Sequence, residues 1–205
     1  MSGPEVPPSA AQREWAHTSD LHGPQFALDG GPGTPRMIIF GAVTLAAALC
    51  RAARTVGWIP YVVDPRERFA TTQRFPDAEQ VLVAWPAAAL AQLGGLDADT
   101  AVVALAHAPE LDDGALVSAL GSPAFYVGAM GSRRTQARRR ERLAATGLSE
   151  AELARLAGPA GLDLGGETAS QAALAILAEA VATRHGRPGG PLTDSGNAIH
   201  VGGRP

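Results

Sequence analysis

Residues 1 to about 35 are rich in proline, glycine and polar side chains and show no sustained apolar period. They read as a flexible arm or a linker remnant. At Met37 the pattern changes abruptly. Residues 37–40 form a continuous apolar run that stops at Gly41, the pattern of a short strand buried on both faces. Residues 45–56 are alanine-rich and closed by Gly57, which predicts a helix ended by a glycine. Residues 59–63 predict a second strand, stopping at Asp64-Pro65-Arg66. The alternation continues with strands over 80–84, 101–106 and 124–127, and helices over 86–93 and 112–120. Further helices are predicted from about 132 to 147, over 149–157 and over 168–184. The tail from 187 to 205 is again rich in proline and glycine and reads as a second arm. Strands separated by helices predict one α/β domain over residues 36–186, Rossmann-like, doubly wound, with a mostly parallel sheet in three layers.

Ligands of such sheets bind outside the carboxyl ends of the strands. That rule selects four loops, beginning at Gly41, Asp64, His107 and Gly128. The first, Gly41-Ala42-Val43-Thr44, is a degenerate dinucleotide fingerprint. Gly41 is present, but Val43 and Ala46 stand at the other two glycine positions. Asp64 lies about where an acidic residue meets a ribose hydroxyl, or it caps the following segment; Arg66 beside it could answer a phosphate. In the last loop Gly128 and Gly131 allow a tightly curved backbone, and Ser132 can cap the helix behind it. Arg133 and Arg134 then fall in a first helical turn, where the dipole prefers acidic residues. That placement makes sense if an anion sits there, or if both arginines face solvent or nearby carboxylates. Arg138, Arg139, Arg140 and Arg142 read mostly as a solvated face or a partner surface. His107 could touch a ligand, move a proton near neutral pH, or serve packing. Thr168 is placed to cap the last helix, and Asp163 to stabilise the turn before it or to face the cleft.

Composition narrows the chemistry. All 17 basic residues among the 205 are arginine, so no lysine can form a Schiff base or serve a phosphate loop. Anions must be met by guanidinium groups and backbone amides, which suit phosphate geometry. The formal net charge of -3 argues against a general nucleic-acid or anionic-membrane binder. Cys50 is the one cysteine, which excludes an intrachain disulfide; its small-residue helical setting reads as a buried hydrophobe. The five histidines show no metal-ligand spacing. The first residues lack a signal-peptide pattern and no apolar run approaches a membrane span, which points to the cytoplasm.

Six strings carry a resemblance: IIFGA at 38–42, VVDPRERFAT at 62–71, RFPDAEQV at 74–81, YVGAMGSRRTQARRRERL at 126–143, GLSEAELARLAGPAGLDLG at 147–165 and AILAE at 175–179. On these the chain resembles the C-terminal Rossmann domain of the xanthine dehydrogenase accessory protein (XdhC/CoxI) family. The resemblance implies a non-catalytic maturation chaperone for a molybdenum hydroxylase of the xanthine or carbon monoxide dehydrogenase type. Its ligand would be the molybdenum cofactor, molybdopterin or its cytosine dinucleotide form, held transiently. The implied partners are the hydroxylase apo-enzyme, a cysteine desulfurase and a separate protein carrying the family's N-terminal domain; a homodimer is a base-rate expectation. The implied ligand-site residues are Gly41, Ala42, Asp64, Arg66, His107, Gly128, Gly131, Ser132, Arg133 and Arg134. The chain departs from the family at Ala106 and Ala108, where Thr and Asp are usual around the histidine, at Glu167, where Arg is common, and at Ala169-Ser170-Gln171, in place of Pro-Glu-Glu. The fold alone leaves two alternatives, an NAD(P)-dependent oxidoreductase and a nucleotide-binding regulatory or scaffold subunit.

Overall fold

The computed structural model describes residues 33–195. The expected arms fall mainly outside these, at 1–32 and 196–205. Twelve principal elements follow in order: β1 Arg36–Phe40, α1 Thr44–Thr55, β2 Ile59–Val63, β3 Gln80–Leu82, α2 Pro86–Gln92, β4 Thr100–Ala104, α3 Pro109–Leu120, β5 Tyr126–Ala129, α4 Arg133–Ala144, α5 Glu150–Leu153, β6 Leu156–Ala157 and α6 Ala169–Arg184. Residues up to Pro191 form one unit; Leu192–Asp194, a 3-10 turn, belongs to a second.

The six strands make one sheet in the order β3-β2-β1-β4-β5-β6, and every pairing is parallel. The mostly parallel sheet expected from the sequence is therefore wholly parallel among the described residues. Side chains of successive strand residues point to opposite faces, and both faces are covered. Met37, Ile39, Ala101 and Val103 face one core with Leu49 and Ala53 of α1 and Ile176 and Leu177 of α6. Ile38, Phe40, Val102 and Ala104 face the other, with Leu90 of α2, Leu116 and Leu120 of α3, Leu143 of α4 and Leu153 of α5. Burial on both sides is why β1 and β4 read as unbroken apolar runs. The result is three layers with the strand order reversing between β1 and β4.

The helix expected over 149–157 is instead a single turn, α5, followed by the edge strand β6. Ser149 and Glu152 form a reciprocal capping box that starts the turn. The Arg155 guanidinium then donates to the carbonyls of Leu120 and Ser122, at 2.5 and 2.8 Å, and to that of Ala124. Those carbonyls lie just ahead of β5, so the arginine draws Leu156 and Ala157 into register with Val127 and Gly128. At the other extreme, α3 begins three residues earlier than expected, at Pro109, a residue suited to a first helical position. The expected C-terminal arm also starts packed: the Arg187 amide donates to the Ala182 carbonyl at 2.8 Å.

Candidate functional site

The expected site residues divide into two groups along the carboxyl edge of the sheet. The first group joins the ends of β1 and β2. Gly41 has φ +112, and a Cβ there would lie 2.7 Å from the Ala106 amide nitrogen, so the β1 loop can press against the β4 loop only with glycine at 41. Asp64 is fully buried, and both its oxygens are used twice. Oδ2 accepts from the Ala42 amide at 2.9 Å and from Arg66 Nη2 at 2.7 Å. Oδ1 accepts from the Arg66 amide at 2.9 Å and Arg66 Nε at 2.8 Å. Burial pushes this carboxyl up, but the Arg66 side chain, the Ala42 amide and the Arg66 amide outweigh it and hold the pKa below its ordinary value. Asp64 thus spends its acceptors inside the protein, fastening Arg66 and the β1 turn; no helix follows it to be capped. The guanidinium of Arg66 also lies 4.8 Å from the Phe69 ring centroid.

The second group surrounds the β5–α4 turn. Gly128, expected in the loop, sits inside β5. A Cβ there would come 2.6 Å from the Tyr126 hydroxyl, so this glycine makes room for the tyrosine ring. That hydroxyl donates to Glu179 Oε2 at 2.6 Å, which also accepts from the Gly161 amide at 2.8 Å. Gly131, with φ +134, turns the chain, and Ser132 Oγ accepts from the Thr135 amide at 3.2 Å as the N-cap of α4. No acidic residue occupies the first turn of α4. Thr168 likewise caps α6, in a box with Gln171, while Asp163 is exposed.

Between α3 and α4 lies a cavity of about 430 Å³. Its α3 side is made by His107, Pro109 and Asp112, and its α4 side by Arg134, Thr135, Arg138, Arg139 and Arg142. Of the ten expected site residues, the cavity gathers His107 and Arg134. Arg133, about 100° further round the helix, is exposed and does not line it. The reading of the later arginines as a solvated face is corrected for three of them. Arg134, Arg138 and Arg142 stand four residues apart, one stripe of the helix, and Arg139 lies beside it. That i, i+4, i+8 spacing was the available sequence signal. Arg140 alone of the four turns away, to Glu150 and the Leu153 carbonyl.

The charges in the cavity are unequal. Arg139 and Asp112 form a buried ion pair at 3.2 Å, each side chain 2% exposed. Arg139 Nη1 also donates to Gln136 Oε1 at 2.6 Å and to the Met130 carbonyl at 3.1 Å. Asp112 Oδ1 accepts from the Ala106 amide at 3.1 Å. Burial raises the Asp112 pKa; Arg139 and the Ala106 amide pull against that rise. Arg142 is held by Asp113 through Nε at 2.5 Å and Nη2 at 3.0 Å. Arg134 and Arg138 have no side-chain hydrogen bond or ion pair among the described residues. His107, at the rim, is the one described non-glycine residue with positive φ, +55. Such a conformation costs of order 1–3 kcal/mol and persists where surrounding contacts hold it. Here the holding contacts are Ala106 on Asp112 and the first turn of α3, where the Asp112 amide donates to the Ala108 carbonyl at 2.8 Å.

Elsewhere, Cys50 is buried, which pushes its thiol up to about 12 and leaves it inert at neutral pH. Among the described residues no cluster of His, Cys, Asp or Glu could hold a metal ion, and no helix is long and apolar enough to cross a membrane.

Three similarities bear on this geometry. The chain is 31% identical over 151 residues to a Bacillus subtilis protein named as a probable component of xanthine dehydrogenase, covering 73% of this chain and 43% of that protein. It is 30% identical over 149 residues to the molybdenum cofactor insertion chaperone PaoD of Escherichia coli K12, covering 73% of this chain and 40% of that protein. A crystal structure of a xanthine dehydrogenase from Bacillus halodurans matches with a TM-score of 0.64 at 26% identity, over 80% of this chain and 45% of that one. The chain thus spans less than half the length of each. The XdhC Rossmann domain model matches residues 37–180, from the first strand into the last helix, and the chain belongs to that family.

Proposed function

We propose that this chain acts in the maturation of a molybdenum hydroxylase, holding the molybdenum cofactor as cargo and delivering it to the apo-enzyme. Family membership and the likeness to PaoD support the reading. The observation that carries it is the pair of unpaired guanidinium groups, Arg134 and Arg138, in a cavity at the carboxyl edge of the sheet. The cofactor is a pterin with an anionic phosphate or dinucleotide tail. Guanidinium groups and a helix N-terminus free of carboxylates are the donor set such a tail requires. Arg134 and Arg138 would bind the tail. Asp112 and Asp113 would position Arg139 and Arg142 behind them. The cargo's molybdenum serves the client enzyme's chemistry; the residues here bind, orient and release.

A nicotinamide oxidoreductase fits the geometry less well. The Ala42 amide, the donor nearest the usual pyrophosphate position, is already bound by Asp64, and that same carboxylate has no acceptor left for a ribose hydroxyl. The test is to purify the protein from cells making the cofactor, oxidise it and read pterin fluorescence, then add apo-hydroxylase and follow its activation. Co-purifying pterin that activates the apo-enzyme supports the proposal. Absence of pterin, with tight NADH binding and turnover, overturns it.

A further inference from the structure

Open parallel sheets usually hold a ligand's phosphates where the strand order reverses, here between β1 and β4. In this molecule protein atoms fill that place. The Gly41 backbone abuts Ala106, the Ala42 amide is bound to Asp64 Oδ2, and the Val43 amide donates to the Gly41 carbonyl at 3.0 Å. The donors a phosphate would use at the end of β1 are taken. One gap further along the sheet, between β4 and β5, the situation is reversed. Arg134 and Arg138 carry unused donors. Behind them Arg139, 2% exposed, lines the cavity, and its Nε is the one buried side-chain nitrogen or oxygen among the described residues with no partner. A buried donor without an acceptor is unfavourable, and its neighbourhood favours negative charge.

We infer that the cavity between α3 and α4 is a phosphoryl-binding site, displaced from β1 towards β5, in which Arg134 and Arg138 grip a phosphate or pyrophosphate group with Arg139 behind them. The inference rests on the cofactor reading for the source of that group, not for its chemistry. Neighbours four residues apart on a helix face stand about 5–6 Å apart at Cβ, a span that a tetrahedral phosphoryl group can bridge. With Arg139 and Arg142 neutralised by Asp112 and Asp113, the two remaining cations match a phosphate ester of about −1.5 to −2 charge. The lining contains no phenylalanine, tyrosine, tryptophan or large aliphatic side chain, so the cavity suits the tail of a ligand and leaves its ring outside.

The test is calorimetric titration of the cofactor-free full chain with inorganic phosphate, inorganic pyrophosphate and cytidine diphosphate. The variants are Arg134→Ala/Arg138→Ala and, as control, Arg54→Ala, whose guanidinium pairs with Glu79 on α1's exposed side. Circular dichroism checks that each variant folds. The wild type and Arg54→Ala should bind at least one of the three. The double variant should bind at least about tenfold more weakly, and the wild-type affinity should fall as salt rises. Preference for phosphate indicates a monophosphate tail, and preference for pyrophosphate or cytidine diphosphate a dinucleotide tail. No binding by the wild type, or equal binding by the double variant, overturns the site. If the double variant still co-purifies with pterin, the site assignment falls and the chaperone reading stands. If phosphoryl binding depends on the two arginines while no pterin co-purifies, the site stands and the chaperone reading falls.

Discussion

Two buried carboxylates do opposite things for the molecule at the scale of single residues. Asp64 accepts four hydrogen bonds and ties the ends of β1 and β2 together. Its pKa is lowered in the fold, so its stabilisation is present above the unfolded value of about 3.9 and is lost as pH falls through the folded value. Asp64→Asn should therefore lower stability at pH 7 by about 1.5–3 kcal/mol, the worth of hydrogen bonds to a charged group. It should also flatten the loss of stability below about pH 4. Urea unfolding of both proteins at pH 7 and pH 3 measures this; an unchanged acid slope would contradict it. Asp112 instead serves another residue. Asp112→Ala would leave Arg139 buried without its counter-charge and release the Ala106 amide. Breaking such a pair costs about 3–5 kcal/mol, so the variant should unfold at markedly lower urea concentration, and a near-neutral outcome would mean that the pair is dispensable.

At the scale of elements, α4 carries the tension between stability and binding. Ser132 caps it, yet Arg133 and Arg134 follow where the helix dipole disfavours cations. Arg134→Glu should leave stability unchanged or raise it by about 0.3–1 kcal/mol, while phosphate binding is lost. Thermal unfolding and a phosphate titration on the same sample would show the two effects separating; a fall in both would mean that Arg134 is structural. The elements also show what the chain's pattern makes legible. β1, β2 and β4 are buried on both faces, so apolar runs bounded by Gly41, Asp64 and His107 announced them within one or two residues. β6 is two residues long and follows a genuine helical cap at Ser149, so no local period distinguishes Leu156 and Ala157 from the helix expected there. Its cause, Arg155 reaching carbonyls more than thirty residues away, is invisible to a local reading. The site was half legible for the same reason. Strand ends located Asp64 and His107, but whether Asp64 faces a ligand or Arg66 is decided by the fold. The partner of Arg139, Asp112, lies 27 residues upstream. The stripe of Arg134, Arg138 and Arg142 could have been found by its spacing.

At the scale of the whole molecule, the carboxyl edge of the sheet is divided between a closed half and an open half. At β1 and β2 the polar groups satisfy each other; between α3 and α4 two guanidinium groups do not. That division predicts that NADH should fail to bind, since its pyrophosphate would have to displace Asp64 from the Ala42 amide. Saturable quenching of NADH fluorescence at micromolar protein would count against it. The most direct measurement is the pterin content of wild-type and Arg134→Ala/Arg138→Ala proteins purified side by side from cells making the molybdenum cofactor. The account predicts oxidised-pterin fluorescence from the wild type, reduced at least about tenfold in the double variant at equal folded protein. No fluorescence from the wild type, or equal fluorescence from the two, would contradict it.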